Sequence, residues 1–317
     1  MSGARGGEGW SEARLHRWLA QRSEGRRLLA GSPMHDAACL RPVPGRPTLC
    51  ADQTLEGVHF EPGTPARRVG GKAVARVLSD LAATAARPHA LTLAVAAPGQ
   101  TSERYLRGLI EGAAEMATRH GAELVAGDLA RTHGSLAVVV SGLGHVAGRR
   151  PCVGRDRASA GEVVVLSGAV GGSRLGRHLS IVPRVELGCE LHGAGARAMM
   201  DVSDGLALDL SRLAAASGVR IELDLERLPV HPDARRASRK SGRTPLEHAL
   251  HDGEDHELVA TLPAPAWQRS AAALARRHPG LVRIGSVRTG EGLGWSGAGN
   301  AVEPLPRLDT GGWIHGE

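Results

Sequence analysis

The sequence predicts a two-domain protein of the α/β (α+β) class. Its 317 residues are about twice the length of a common single domain. Each half mixes apolar strand patterns with amphipathic helices that serve as crossover connections. Between the halves, residues 148–161 are rich in Arg, Gly and Ala and have no apolar period. We therefore expect an N-terminal domain over residues 1–147 and a C-terminal α/β domain over residues 148–317.

Apolar periodicity places the individual elements. The predicted elements of the first half are a helix over 11–30, an extended segment over 47–60, a helix over 72–86, a strand over 91–97, a helix over 101–120, and strands over 123–126 and 136–143. Those of the second half are a strand over 162–166, a Gly-rich turn over 168–172, a helix from near Asp204 to about Ser217, strands at 221–223 and 257–262, a helix over 266–277, and a strand over 281–287.

Several protein classes are excluded by composition. No run approaches the roughly 18 apolar residues of a transmembrane helix. The N-terminal residues 1–14 mix glycine with both signs of charge and have no apolar core, unlike a signal peptide. No two of the four cysteines form a C-x-x-C pair, which argues against a zinc site and a disulfide framework. We expect a cytoplasmic enzyme with no membrane partner.

The basic charge does not indicate a nucleic-acid partner. The net charge is +6 and the isoelectric point is about 9.8. Only Lys72 and Lys240 are lysine, and the arginines are spread along the whole chain. Aromatic residues make up only 2% of the sequence. Nucleic-acid binding needs a concentrated basic stripe with stacking aromatics, so we interpret the charge as solvated surface.

Five short strings place an aspartate among small or flexible residues at the end of an element or inside a helix. The aspartates of these strings are Asp36, Asp52, Asp80, Asp128 and the pair Asp201 and Asp204. Magnesium takes hard oxygen ligands, usually one or two carboxylates with waters and substrate phosphates. Taken singly, each aspartate also reads as a cap or turn residue, and Asp204 suits the N-cap of the helix that follows it. Asp80 fits that reading least, because Asp is a poor residue for an apolar helix interior.

Other phosphate-binding and catalytic motifs are missing. Gly70-Gly71-Lys72 lacks the spacer and the hydroxyl residue of a Walker P-loop, so a phosphate contact from Lys72 stays open. Gly127 and Gly205 instead offer positions where backbone can approach a phosphate closely. The sequence also has no nucleophile elbow, no H-E-x-x-H and no dinucleotide-binding fingerprint.

Taken in order, the strings resemble the thiamine-monophosphate kinase family, which belongs with aminoimidazole-ribonucleotide synthetase and selenophosphate synthetase. The resemblance extends over nearly the whole chain, and the E-G-V-H-F string favours the thiamine branch. The matching strings are H-D-A-A (35–38), D-x-x-x-E-G-V-H-F (52–60), G-K-A (71–73), L-S-D-L-A-A (78–83), A-G-D (126–128), D-V-S-D-G-L (201–206) and D-G-E-D-H-E-L (252–258).

The resemblance implies a role for each matching position. It implies ATP as co-substrate, thiamine monophosphate as acceptor, several Mg²⁺ ions, and a homodimer whose N-terminal domains pair into a β-barrel. The implied magnesium ligands are Asp36, Asp52, Asp80, Asp128, Asp201 and Asp204, of which Asp80, Asp128 and Asp204 are the candidate catalytic carboxylates. The implied ATP contacts are Gly127, Asp128, Arg155 and Ser203, and the implied substrate contacts are His59, Glu254 and Trp313.

These roles suit the chemistry of phosphoryl transfer between two anions. The acceptor phosphate is already ionised at neutral pH, so a general base is unnecessary. The obstacle is repulsion between polyanions, and bound cations relieve it while aligning the groups for in-line attack. A guanidinium at Arg155 adds a forked donor to a phosphate. Trp313 offers a face to the cationic thiazolium.

Some positions depart from the family pattern. Ser or Thr hydroxyls are usual where Cys50 and Ala51 stand, a second acid where His35 stands, and a hydroxyl where Leu129 stands. These losses leave the number of magnesium ions open. Three alternatives to the kinase therefore remain: a sister enzyme of the same superfamily with another acceptor, a catalytically weakened nucleotide-binding paralogue, and a nucleic-acid-binding module.

Overall fold

Residues 9–20, 28–30, 36–148 and 151–296 are described by the structure, which is a computed structural model. The chain divides into two units. The first comprises Met1–Leu81 and Arg87–Gly148, and the second comprises Ala82–Ala86 and Arg149–Glu317. The short segment Ala82–Ala86 thus groups with the second unit, although it lies within the first half of the sequence. The predicted class, mixed α/β in two domains, is confirmed.

A four-stranded mixed sheet forms the centre of the first unit. Its strand order is β3-β6-β4-β5, in which β4 and β5 are parallel and the other pairs are antiparallel. The helix α3 connects the two parallel strands, as a crossover must. The elements are α1 (Glu12–Ala20), β1 (Leu28–Ala30), β2 (Cys39–Leu40), β3 (Arg46–Leu55), α2 (Ala66–Ala83), β4 (Arg87–Pro98), α3 (Glu103–Arg119), β5 (Glu123–Thr132) and β6 (Ala137–Val146).

Two predictions for this unit need correction. Helix α1 is described as far as Ala20, and the helix expected over 11–30 is wrong at its C-terminal end, because Leu28 lies in β1. Gly25 interrupts the apolar period in the sequence between them. The helix α2 begins six residues earlier than expected and contains Gly70 and Gly71. A Cβ on Gly70 would stand 1.9 Å from the Leu109 carbonyl oxygen, so this glycine allows α2 and α3 to pack closely.

A six-stranded sheet forms the centre of the second unit. Its strand order is β12-β9-β11-β7-β10-β8, in which only β12 and β9 are parallel. An apolar core of Val, Leu, Ile and Met side chains lies between this sheet and α5. The elements are β7 (Glu162–Leu166), α4 (Val185–Ala194), β8 (Ala198–Asp201), α5 (Leu206–Ser217), β9 (Arg220–Asp224), α6 (Pro232–Ser241), α7 (Pro245–His251), β10 (Leu258–Pro263), α8 (Ala264–Arg277), β11 (Val282–Arg288) and β12 (Gly292–Ser296).

Five elements of this unit escape prediction: α4, β8, α6, α7 and β12. The helix α6 has only two alanines as apolar residues after its first proline, so it shows no apolar period. The expectation that Asp204 caps α5 is wrong. Gly205 occupies the N-cap position and makes no side-chain cap. Among the described helices none is long and apolar enough to cross a membrane.

Candidate active site

The first unit contains a cavity of about 310 Å³ beside its sheet. Strand and helix residues such as Leu93, Val95 and Ile110 give it apolar walls. Asp36 and Asp128 also line the cavity, together with Gly127. Thus the structure brings together three positions that the sequence singled out, two of them carboxylates. An apolar chamber with acidic groups suits a ligand that has a flat apolar part and a cation-bound anionic part.

Packing explains the glycine at position 127. Gly127 lies opposite Leu93 where β5 pairs with β4. A Cβ on Gly127 would stand 2.2 Å from the Leu93 carbonyl oxygen, which no side chain can do. The glycine therefore lets the two strands approach and leaves its own backbone exposed. Asp128, the next residue, is exposed as well.

Asp52 and Asp80 are related through Arg76. Both carboxylate oxygens of Asp52 accept hydrogen bonds from the guanidinium of Arg76, at 2.7 and 3.0 Å. Arg76 and Asp80 are four residues apart on α2, so they share one face of that helix. The carboxylate of Asp52 is thus oriented by a forked donor on the helix that carries Asp80.

His59 is held in the turn after β3 by its backbone and its ring. Its Nδ1 accepts a hydrogen bond from the Leu55 amide at 3.0 Å, which leaves the ring proton on Nε2. Lys72 Nζ donates to the His59 carbonyl oxygen at 2.7 Å. Lys72 is only 1% exposed. In this structure the ammonium of Lys72 stabilises the turn at His59, so the structure gives no support to a phosphate contact from Lys72.

In the second unit, Asp201 is the last residue of β8, and Ser203 and Asp204 follow it in a loop that is held by Asp209. The Asp209 carboxylate is fully buried on the first turn of α5. Its Oδ2 accepts hydrogen bonds from the backbone amides of Ser203 and Asp204, each at 3.0 Å. Arg212 donates to Asp209 at 3.1 Å and also contacts Asp204. Asp209 thus fixes the backbone of the loop before α5 and does not replace Asp204 as a cap of that helix.

Negative charge is concentrated in this loop. Burial raises the pKa of Asp209 to about 7. The charges of Asp204 and Asp201 act in the same direction, whereas the amide of Asp204 and the guanidinium of Arg212 oppose the change. Such an environment favours a bound cation, because a positive charge relieves the mutual repulsion of the carboxylates.

Glu254 lies in a loop that pairs with this one. The Glu254 amide donates to the Ser203 carbonyl oxygen at 2.7 Å, and the His256 amide donates to the Val202 carbonyl oxygen at 2.8 Å. His256 Nδ1 lies 3.1 Å from a carboxylate oxygen of Asp201. Hydrogen bonds thus connect Glu254, the candidate substrate contact, to the segment that carries the candidate ATP and metal residues.

One predicted site residue, Arg155, lies away from the others of its unit, and another, Trp313, is not described. The Arg155 carbonyl oxygen accepts a hydrogen bond from Ser217, the last residue of α5, whereas Ser203 lies before the start of that helix. Twelve helical residues, about 18 Å, separate these ends, so Arg155 and Ser203 would contact different parts of a ligand. Trp313 and His35 lie outside the described residues.

The candidate site offers the kind of ligand atom that magnesium binds. Among the described residues, no three His, Cys, Asp or Glu side chains lie close enough together to hold a metal ion by themselves. Carboxylate oxygens are nevertheless the ligands that Mg²⁺ prefers, with the remaining positions taken by water and phosphate. Arginines already contact Asp52 and Asp204, so these carboxylates lie where positive charge is favourable.

Sequence reasoning missed the residues that hold the site. Asp209, Arg76 and Arg212 read as ordinary helix residues, since nothing in the chain marks their partners. The one available signal was the spacing of Asp209, which follows Asp204 by five residues and falls in the first turn of a predicted helix. An acid in that place stabilises the helix end, and such a residue reads as structural.

Comparison with known proteins places the chain in a family. Residues 34–146 match the model of the AIR synthase related protein N-terminal domain, and residues 154–295 match the model of its C-terminal domain. A thiamine-monophosphate kinase of Rhodopirellula baltica is 38% identical over 291 residues, which cover 90% of this chain and 87% of the relative.

Two solved structures support the assignment. The crystal structure of thiamine-monophosphate kinase from Stenotrophomonas maltophilia K279a is similar with a TM-score of 0.78 and 33% identity, covering 90% of this chain and 96% of that one. AaThiL complexed with AMPPCP and TMP is similar with a TM-score of 0.74 and 27% identity, covering 96% of both chains. This chain therefore belongs to the thiamine-monophosphate kinase family, within the AIR synthase related proteins.

Proposed function

We propose that this protein transfers the γ-phosphoryl group of ATP to thiamine monophosphate, yielding thiamine diphosphate and ADP. The observation that carries the proposal is the 38% identity to a thiamine-monophosphate kinase over 90% of the chain. The similarity to a structure complexed with AMPPCP and TMP supports the same pair of ligands. The protein is accordingly a phosphotransferase with a phosphate group as acceptor.

Each candidate site residue keeps its implied role in this proposal. The first-unit cavity, within the proposed domain 1–147, takes part of ATP beside Gly127 and Asp128, and the domain 148–317 adds Arg155 and Ser203. His59, Glu254 and Trp313 contact thiamine monophosphate. The cation-binding carboxylates are Asp36, Asp52, Asp80, Asp128, Asp201 and Asp204. The cavity's apolar walls and the hydrogen bonds between the Ser203 and Glu254 loops support this arrangement.

In-line transfer needs charge neutralisation more than acid–base chemistry. The attacking phosphate oxygen is ionised at neutral pH, and it must approach a second anion. Mg²⁺ held by the candidate carboxylates would supply positive charge near both phosphates and so lower the repulsion between them. Arg76 orients the carboxylate of Asp52, and Asp209 fixes the backbone that carries Asp204. No proton has to be removed from the acceptor by a side chain.

The departures around the carboxylates bear on the number of magnesium ions. Cys50 Sγ lies 3.7 Å from the Val77 carbonyl oxygen and 3.9 Å from the Gly142 carbonyl oxygen. Its side chain therefore faces the backbone of α2 and β6. We propose fewer or weaker magnesium sites here than in relatives with hydroxyl residues at positions 50 and 51, because a thiol is a poor ligand for this hard cation.

We further propose a cytoplasmic homodimer. β3 is an edge strand of the first-unit sheet, and its Leu49 side chain is 77% exposed. An exposed edge strand with a large apolar side chain is a surface that a second copy can cover. Pairing of two such sheets would give the β-barrel that the family resemblance implies.

A coupled ADP-release assay tests the function. Turnover should require thiamine monophosphate and Mg²⁺ together, and free thiamine should not replace the phosphate ester. ADP release with another phosphate or carboxamide acceptor instead would favour a sister enzyme of the superfamily. Binding of ATP with Mg²⁺, seen as a raised melting temperature but without turnover, would favour the weakened paralogue.

A further inference from the structure

The loop that carries Glu254 has a strained backbone. Glu254 has a φ of 53° and His256 a φ of 51°, both in the left-handed region that side chains other than glycine disfavour. Only three residues other than glycine have a positive φ in the described parts of the chain, and two of them are here. Both residues are buried, at 8% and 2% exposure. Such strain persists only where the surroundings fix the conformation.

The two residues on either side of His256 hold the loop. Asp255 and Glu257 each form an ion pair with an arginine. Asp255 accepts from Arg177 at 2.7 Å and from the Gly171 amide at 3.0 Å. Glu257 accepts two hydrogen bonds from Arg184, at 2.9 and 2.6 Å.

The two carboxylates are more deeply buried than their arginines. The side chains of Asp255 and Glu257 are 1% and 9% exposed, against 23% and 34% for Arg177 and Arg184. A buried carboxylate needs its partner, because without it a charge remains uncompensated away from water. The two ion pairs therefore fix residues 255 and 257, and with them the backbone of Glu254 and His256 between and beside them.

We propose that Arg177 and Arg184 are positioning residues that set the affinity for thiamine monophosphate by fixing the backbone of Glu254. This inference rests on the proposed function, since it takes Glu254 as the substrate contact. Neither arginine needs to touch the ligand. The Glu254 and His256 amides donate to the Ser203 and Val202 carbonyls without any part from the arginine side chains. The position of Ser203, the candidate ATP contact, should therefore depend on the two arginines much less, and so should the affinity for ATP.

The test compares Arg184→Gln and Arg184→Lys with the wild-type protein. Arg277→Gln is the matched control, because Arg277 makes an arginine–carboxylate pair with Glu190 on the surface of the same unit. The measurements are the Kd for thiamine monophosphate by calorimetry, the KM for each substrate, and the melting temperature. A purely structural defect would lower the melting temperature and affect both substrates together.

We expect Arg184→Gln to raise the Kd and KM for thiamine monophosphate at least about tenfold, and the KM for ATP less than about threefold. Arg184→Lys keeps the charge and loses the forked geometry, so we expect an intermediate value. Arg277→Gln should match the wild type. If Arg184→Gln does not fold, Arg184→Lys decides: a selective rise of at least about threefold for thiamine monophosphate supports the proposal.

Two results would overturn it in distinguishable ways. Equal rises for both substrates, or no rise for thiamine monophosphate in a folded variant, would remove the positioning role and leave the kinase function standing. Failure of the wild-type protein to bind thiamine monophosphate at all would remove the proposed function, and the positioning role with it.

Discussion

Lys72 Nζ donates a hydrogen bond to the main-chain carbonyl of His59, with 2.7 Å between the two atoms. The contact links the interior of α2 to the turn that follows β3. It assigns a structural task to the only lysine in the first half of the chain, which the G-K-A string had left open as a phosphate contact. The buried Lys72 side chain thus holds the backbone of the candidate substrate residue His59 in place.

Replacing this lysine should therefore affect stability more than ATP binding. We expect Lys72→Met to lower the free energy of unfolding by about 1–3 kcal/mol, because the His59 carbonyl loses a buried donor. The KM for ATP should change less than about threefold. Denaturant unfolding and steady-state kinetics measure the two effects. Lys240→Met, at the chain's exposed lysine, is the control. A large rise in the KM for ATP at full stability would instead return Lys72 to the phosphate.

Asp80→Asn tests the candidate magnesium ligand whose residue type fits a purely structural role least well. The amide keeps the shape of the side chain and removes its charge. We expect turnover below about a tenth of the wild-type rate, since magnesium loses a ligand, with little change in melting temperature. Asp156→Asn, an exposed aspartate of the second unit, should retain full activity. Substantial turnover by Asp80→Asn would show that Asp80 does not hold a cation.

Gly127→Ala tests the contact between β4 and β5 at the edge of the cavity. The added methyl would meet the Leu93 carbonyl oxygen at 2.2 Å, so the strands must separate. We expect a loss of about 1–3 kcal/mol in the free energy of unfolding together with weaker ATP binding. Gly134→Ala, in an exposed turn whose nearest atom would lie at 3.6 Å, should be tolerated. Equal behaviour of the two variants would contradict the packing explanation.

Asp255 gives a dependence of stability on pH. Burial raises its pKa to about 6, although Arg177 and the Gly171 amide lower it. Its unfolded value is about 4. A raised pKa means that the folded protein binds the proton more tightly than the unfolded chain, so stability from this group falls as pH rises from about 4 to 6.

The comparison with Asp255→Asn isolates this effect. We expect the stability of the wild type relative to the variant to fall by on the order of 2 kcal/mol between pH 4 and pH 7. Denaturant unfolding at several pH values measures it, with Asp224→Asn at a partly exposed ion pair as control. A relative stability that rises over this range would mean that Arg177 lowers the pKa of Asp255 instead.

The fold was predictable where one face of an element is apolar. The strand at 162–166 is a run of buried apolar residues after Glu162, and α3 has a clear period and a Ser102 cap. In contrast, α6 is stabilised by Pro232 at its start and by contacts with α7, which leave no apolar period to read. The two glycines of α2 read as helix breakers because the close approach of α3 cannot be seen in the local sequence.

The candidate site was predictable in its carboxylates and not in their supports. Short strings mark Asp52, Asp128 and Asp204, because their residue types suit a hard cation. Arg76 lies 24 residues from Asp52, so only folding brings the two together. The left-handed backbone at Glu254 is fixed by long-range ion pairs, and no pattern of propensities indicates it.

Transfer of labelled phosphate tests the central claim most directly. The protein is incubated with Mg²⁺, thiamine monophosphate and ATP labelled in the γ-phosphoryl group, and the products are separated. We predict that the label appears in thiamine diphosphate and that a chelator of divalent cations prevents its appearance. Label found only in inorganic phosphate, or retained in ATP under conditions where the protein is folded, would contradict a kinase that acts on thiamine monophosphate.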